Sequence, residues 1–311
     1  MNQVRITNRM LGQNVVRNIN RNLEYMYRVQ EQMSTGKRVN RPSDDPIVVA
    51  RVLAFKTSIA ANDQYKKNME DAKGWIDASE SALGMATDVL QRARELAVYG
   101  ANGTMPEESM QALGEEVEQL LDEMVQVANT SYGGRYLFGG TYTTGTPFEK
   151  ESDPTNPDYP VKYEGNTGEL NWEIAPGVVI PVNENGSKVF MEAVNDGAGG
   201  KLSLFKLLSD LSGALKRGNY GQVEASLGKF DQAIDHLLNI RAALGAKSNR
   251  MEMAMSRLDD TQIGLTTTMS KLEDVDLAET VMNYKNRENV YLASLATGAM
   301  VLQPSLIDYL R

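Results

Sequence analysis

The chain has 311 residues, near the usual upper size for one hydrophobic core, and its 41% hydrophobic and 23% charged residues are the balance of a folded protein rather than a disordered one. A formal net charge of -9 gives no overall electrostatic footprint for nucleic acid, and the absence of cysteine excludes disulfides, thiolate nucleophiles and Cys-ligated metals. No apolar run is long enough to span a bilayer, and residues 1–18 lack the continuous apolar centre of a secretory signal, so no membrane insertion and no cleaved signal peptide are expected.

The charge is unevenly placed. Residues 1–41 carry eight Arg or Lys against Glu24 and Glu31, whereas residues 101–200 carry seventeen acids against four bases. The N-terminal arginines are interleaved with an apolar stripe at helical spacing. They therefore read as the solvated face of a helix, with no nucleic-acid partner implied. That stripe runs through Val16, Ile19, Leu23, Met26 and Met33 in steps of three and four, with Gln30 as its polar interruption. Gly36 supplies a left-handed residue after this first helix, and residues 37–44 form a basic hinge. Asp45 before Pro46 is an N-cap followed by a first-turn proline, and the adjacent Asp44 sits in the same capping position of the chain.

A second helix begins near Ile47. Its stripe passes through Phe55, Tyr65, Met69, Ala72, Ile76, Leu83, Ala86, Leu90, Ala93 and Ala97 before Gly100 and Gly103 break it. A third helix opens after Pro106 and keeps Met110, Leu113, Val117, Leu120, Met124 and Val127 in one register; the short connection predicts that it runs antiparallel to the second. From Tyr132 to about Gly200 the composition turns to Gly, Pro, Thr, Asn and Tyr. Short alternating runs at Val161–Tyr163, Leu170–Ile174 and Val178–Val182 read as strands, and Asn166-Thr-Gly168 predicts a hairpin joining the first two. A short helix over about Leu202–Lys216 leads to a long one, whose stripe from Phe230 through Leu237, Leu244, Met251, Leu258 and Leu265 to Leu272 is uninterrupted by proline. The C-terminal region resumes the pattern at Leu292, Leu295, Ala299, Leu302, Leu306 and Tyr309, with Pro304 expected to end or kink that helix.

These stripes predict a mainly α fold with a small β-rich insert, its helical part a long antiparallel coiled-coil-like bundle formed by both chain ends. The expected division is terminal assembly helices at 1–41 and 280–311, a helical rod domain at 42–131 and 202–279, and an inserted β-rich domain at 132–201. Little in the chain suggests chemistry. His236, the one histidine, lies beside a stripe position with no cysteine or second histidine to join it. Gly36-Lys37 lacks the flanking Gly and Ser/Thr of a phosphate loop, since Glu31 and Arg38 stand there. Asp44 and Asp45 are accounted for by capping. No catalytic residue, cofactor or metal is expected, and the chain is not expected to be an enzyme.

Three segments carry a resemblance that periodicity does not supply. Gln32-Met-Ser-Thr-Gly-Lys-Arg-Val-Asn-Arg-Pro-Ser-Asp-Asp-Pro46 resembles the signature after the first helix of bacterial flagellins and hook-associated proteins. Tyr136-Leu-Phe-Gly-Gly-Thr141 is similar to the entry into the variable insert of the hook-associated members. The third segment runs from Leu292-Ala-Ser-Leu-Ala296 to Leu302-Gln-Pro-Ser-Leu-Ile-Asp-Tyr-Leu310. Lys37 after Gly36, and Pro42-Ser43-Asp44-Asp45-Pro46, favour the hook-associated branch of the flagellin family over flagellin itself.

The resemblance implies a structural subunit of the bacterial flagellum, forming a ring between hook and filament through its terminal helices. It also implies an extracellular location reached by type III export. The implied partners are further copies of the chain, the hook-side hook-associated protein, flagellin and a flagellar export chaperone. Val16, Ile19, Leu23, Met26, Leu292, Leu295, Leu302 and Leu306 would carry assembly, with Gly36, Asp44, Asp45 and Pro46 as hinge and cap. A divergent flagellin and a soluble coiled-coil binding module are the alternatives.

Overall fold

The computed structural model describes residues 8–103, 105–151, 159–195 and 200–302. The chain is mainly α. Six helices, α1 (Asn8–Thr35), α2 (Pro46–Gly100), α3 (Glu107–Ala128), α4 (Leu204–Lys216), α5 (Tyr220–Glu273) and α6 (Leu277–Leu302), enclose in sequence a set of short strands. Contacts divide the chain into two units, residues 1–61 with 260–311, and residues 62–259, so that the division falls inside α2 and α5.

In the unit of residues 62–259, α2 and α5 are antiparallel, because ion pairs join Lys66 to Asp259 at 2.7 Å, Arg241 to Glu80 at 2.8 Å and Arg94 to Asp231 at 2.6 Å. Their apolar stripes meet beneath these pairs. Phe230, Leu237, Leu244 and Met251, each seven residues from the next, are buried on α5, and Met69, Ala72, Ile76, Leu83, Ala86, Leu90, Ala93 and Ala97 are buried on α2. Alanine at alternate stripe positions of α2 leaves room for the larger α5 side chains, and both stripes belong to one buried apolar cluster. Helix α3 folds back along α2, with Arg92 reaching Glu116 at 2.7 Å, and α4 packs on α3, where Ser212 Oγ donates to the Gly114 carbonyl at 3.0 Å. Ser203 caps α4 by accepting from Lys206 N at 3.0 Å.

The strands form four separate antiparallel pairs: β1 (Ser131–Tyr132) with β2 (Arg135–Tyr136), β3 (Phe148–Lys150) with β4 (Val161–Tyr163), β5 (Asn171–Ala175) with β6 (Val178–Pro181), and β7 (Val194–Asn195) with β8 (Lys201–Leu202). This corrects the pairing expected from sequence. Residues 161–163 and 170–174 do not form a hairpin: the former pairs with β3, and β5 turns back through Pro176-Gly177 onto β6. The turn signal at 166–168 is spent elsewhere. Asn166 Oδ1 accepts from Thr141 N at 2.8 Å and from Gly168 N at 3.0 Å, so Asn166 staples its loop to the turn at 139–141. An aromatic cluster fills the centre of this region: Phe190, on a π-helical turn (Ser187–Met191), lies 5.1 Å from Phe138, 5.2 Å from Phe148 and 5.8 Å from Phe205 of α4, ring centre to ring centre.

In the unit of residues 1–61 with 260–311, α1 lies antiparallel to α6. Asn22 Nδ2 donates to Ser294 Oγ at 3.5 Å, while further along α1 the Tyr25 ring faces the Arg287 guanidinium at 4.9 Å. Gly298 makes the close approach possible, since a Cβ there would stand 2.9 Å from Val15 Cγ1 and 3.3 Å from Ile19 Cδ1.

Candidate assembly interface

The segment between α1 and α2 is a structured turn, not a loose linker. Gly36 adopts φ +69°, a left-handed conformation that a side chain resists, and its N–H closes α1 by donating to the Gln32 carbonyl at 2.9 Å. Asp44 Oδ2 accepts from Asn40 N at 3.2 Å and Arg41 N at 3.0 Å, tightening the turn from within. Asp45 Oδ1 accepts from Ile47 N at 3.1 Å and Val48 N at 3.0 Å, capping α2, whose first residue is Pro46.

The same segment is clasped to the junction between α5 and α6. Arg38 N donates to the Glu273 carbonyl at 2.7 Å, Val275 N donates to the Gly36 carbonyl at 3.0 Å, and Arg38 Nη2 reaches the Leu272 carbonyl at 2.9 Å. The Glu273 side chain is only 7% exposed and receives Lys37 Nζ at 2.7 Å and Lys56 Nζ at 2.8 Å. Burial by itself would raise the Glu273 carboxyl, but the two lysine hydrogen bonds outweigh it and hold the group below its ordinary range. Its hydrogen bond correspondingly holds Lys37 above its own. On the far side of the clasp, Asp276 Oδ1 caps α6 by accepting from Ala278 N at 2.9 Å and Glu279 N at 3.2 Å.

Because the folded-state acidity of Glu273 is depressed, the clasp is stabilised above the unfolded carboxylate range and loses that stabilisation as pH falls through the folded value. Both lysines are more than a third exposed, so solvent screening reduces the cost of Glu273→Gln to about 1–2 kcal/mol. The Arg38 and Val275 amides should therefore exchange about 5–30 times faster in the variant at neutral pH. The difference should shrink in acid, where the wild-type carboxylate is itself protonated; equal exchange at neutral pH would remove Glu273 from the clasp.

The eight residues expected to carry assembly occupy different environments. Ile19, Leu23 and Met26 are half-buried, whereas Val16 is 48% exposed, Leu292 57% and Leu295 40%. Leu302 ends α6, and Leu306 lies outside the described residues. Helix α6 thus presents two stripes. Tyr284, Glu288, Tyr291, Ser294 and Gly298 are its more covered positions and include the contacts to α1, while Leu292 and Leu295 stand on uncovered surface. Sequence periodicity picked the leucine stripe and passed over the mixed Tyr, Glu, Ser and Gly one, which only the close approach at Gly298 reveals. Lys56 and Glu273 were also missed, and nothing local marks Glu273, whose partner Lys37 is 236 residues away. Asp276 was legible in principle, since Asp276 followed three residues later by Glu279 has the form of a capping box.

The bacterial flagellin N-terminal helical region matches residues 6–143, and the bacterial flagellin C-terminal helical region matches residues 227–310. The chain belongs to the flagellin family. Within that family it is 30% identical over 308 residues to flagellar hook-associated protein 3 of Escherichia coli strain K12, an alignment covering 94% of this chain and 95% of the relative. It is also 28% identical to a flagellin of Bacillus subtilis strain 168, with 96% of each chain covered. A crystal structure of Bacillus cereus FlgL is similar in fold, with a TM-score of 0.58 and 27% identity over 70% of this chain and 99% of that one. The two family regions meet at the clasp: Lys37 and Lys56 belong to the N-terminal flagellin region and Glu273 to the C-terminal one. Strands β3 to β8 and helix α4 fall between the matched regions.

Proposed function

We propose that this protein is a structural subunit of the bacterial flagellum at the junction between hook and filament, acting by assembly and not by catalysis. The observation that carries this is the near full-length similarity to flagellar hook-associated protein 3, with the two flagellin helical regions at either end of the chain. The physical reading supports it. Helices α1 and α6 cover each other only in part and leave Val16, Leu292 and Leu295 exposed, and a helix pair with so little burial gains stability when neighbours complete its core. Further copies of the chain would do so within a ring, with the hook-side hook-associated protein below and flagellin above. Export through the flagellar secretion channel, with a dedicated chaperone and no signal cleavage, belongs to the same proposal. So does the division of labour between terminal assembly helices at 1–41 and 280–311, a helical domain at 42–131 and 202–279, and the β-rich insert at 132–201.

Similarity to a flagellin over the same span keeps the bulk filament subunit as the second reading. Antibody labelling of intact flagella separates them. A junction subunit is expected as a single band at the base of the filament, with hooks lacking filaments and flagellin released into the medium when the gene is deleted. Label along the whole filament would replace the junction by the filament.

A further inference from the structure

The sequence contains two Asn-Gly pairs, Asn102-Gly103 and Asn185-Gly186, and the fold treats them oppositely. In an Asn-Gly pair the glycine amide nitrogen can attack the asparagine side-chain carbonyl, because glycine carries no Cβ to hinder the approach. The attack requires a free asparagine side chain and open space beside the glycine. Asn185 has neither. Its Oδ1 accepts from Ser187 N at 2.9 Å. Gly186 is buried in helical conformation against the Phe138 carbonyl, which a Cβ would approach to 2.3 Å.

Asn102 and Gly103 sit exposed in the turn between α2 and α3. Among the described residues, neither the Asn102 side chain nor the Gly103 N–H has a hydrogen-bond partner, and nothing lies within 4 Å of a Cβ built on Gly103. The main chain of Asn102 is held on both sides, its N–H donating to the Tyr99 carbonyl and its carbonyl accepting from Met105 N, each at 3.2 Å.

We infer that Asn102-Gly103 is a site of spontaneous self-modification, at which the folded chain converts an amide to a carboxylate while Asn185-Gly186 is protected. The Gly103 nitrogen forms a bond to Asn102 Cγ, the Cγ–Nδ2 bond breaks, and ammonia leaves with the proton lost by Gly103. Water then opens the resulting succinimide at either carbonyl, giving aspartate or isoaspartate. Neither step needs an enzyme, a metal or a redox partner. The product places a negative charge just beyond the C-terminus of α2, where the helix dipole disfavours it. The isoaspartate form also adds one atom to the main chain. That displaces the carbonyl holding Met105 N, and with it the residue whose own carbonyl accepts the Tyr220 hydroxyl at 3.2 Å. The inference does not depend on the flagellar assignment.

The test incubates the full-length folded protein at mildly alkaline pH and digests it with a Glu-specific protease. Peptides 96–107 and 185–192 each contain one asparagine. Peptide 96–107 is expected to gain the mass of an amide-to-acid exchange and to become a substrate for isoaspartate methylation, while peptide 185–192 stays intact. In urea both should convert, and Gly103→Ala, which fits the open space, should slow the reaction at Asn102 about tenfold or more. An unchanged Asn102 in the folded protein, or conversion of both asparagines at the same rate without denaturant, overturns the inference.

Discussion

Replacing Leu292 and Leu295 together by Asp is expected to abolish incorporation into the flagellum while leaving the isolated subunit as helical and as stable as wild type. Both leucines are exposed on α6, and the α1 contact runs along a different stripe, through Ser294 and Gly298. In the isolated subunit the substitution therefore exchanges one solvated side chain for another. If neighbours cover this stripe on assembly, as proposed, each leucine would gain about 1.5–3 kcal/mol from burial, and an aspartate in its place would be desolvated without a partner. The loss for two positions is thus several kcal/mol per copy, repeated around a ring, and incorporation should fall by more than about a hundredfold. Circular dichroism on the purified subunit, with a count of filaments in complemented cells, reads both halves. Normal filaments would show that this stripe stays in solvent after assembly. A collapse of helicity would show that it belongs to the subunit's own core.

How much of this was legible in the sequence depends on the range over which each feature is encoded. A stripe is encoded every three or four residues, so the buried faces of α2, α3 and α5 could be read directly, down to the seven-residue spacing of Phe230, Leu237, Leu244 and Met251. Capping is encoded over three residues, so Asp45 before Pro46 could be read as well. Strand pairing is not local. Asn166-Thr-Gly168 has hairpin chemistry, but its amide is captured by a turn 25 residues earlier, and the strands on either side find other partners.

The clasp lies at the same limit. Lys37 stands in a conspicuous segment, yet Glu273 is one of 41 acidic residues and only the fold selects it. Choosing between the two stripes of α6 also needed the structure, because the leucine stripe and the mixed Tyr, Glu, Ser and Gly stripe have the same period. Which of them faces α1 is decided by how closely the helix axes approach at Gly298.

Phe190→Ala should have the opposite profile, costing about 3–5 kcal/mol of stability and leaving the terminal helices' surface unchanged. Phe190 is fully buried and joins two parts of one core: it meets Phe138 and Phe148 from the strand region edge-on and stacks on Phe205 of α4. Removing the ring leaves a cavity that neighbours fixed by helix and strand cannot refill, and it breaks three aromatic contacts at once. Since α4 packs on α3, the loss cannot stay confined to the strands. Urea unfolding followed by the fluorescence of Trp75 on α2 and Trp172 on β5 should shift to lower denaturant at both tryptophans together. A shift at Trp172 alone would make the strand region a separately folding body. Phe190→Leu, which keeps most of the volume, should recover more than half of the stability, because what the site requires first is filled space and only then ring geometry.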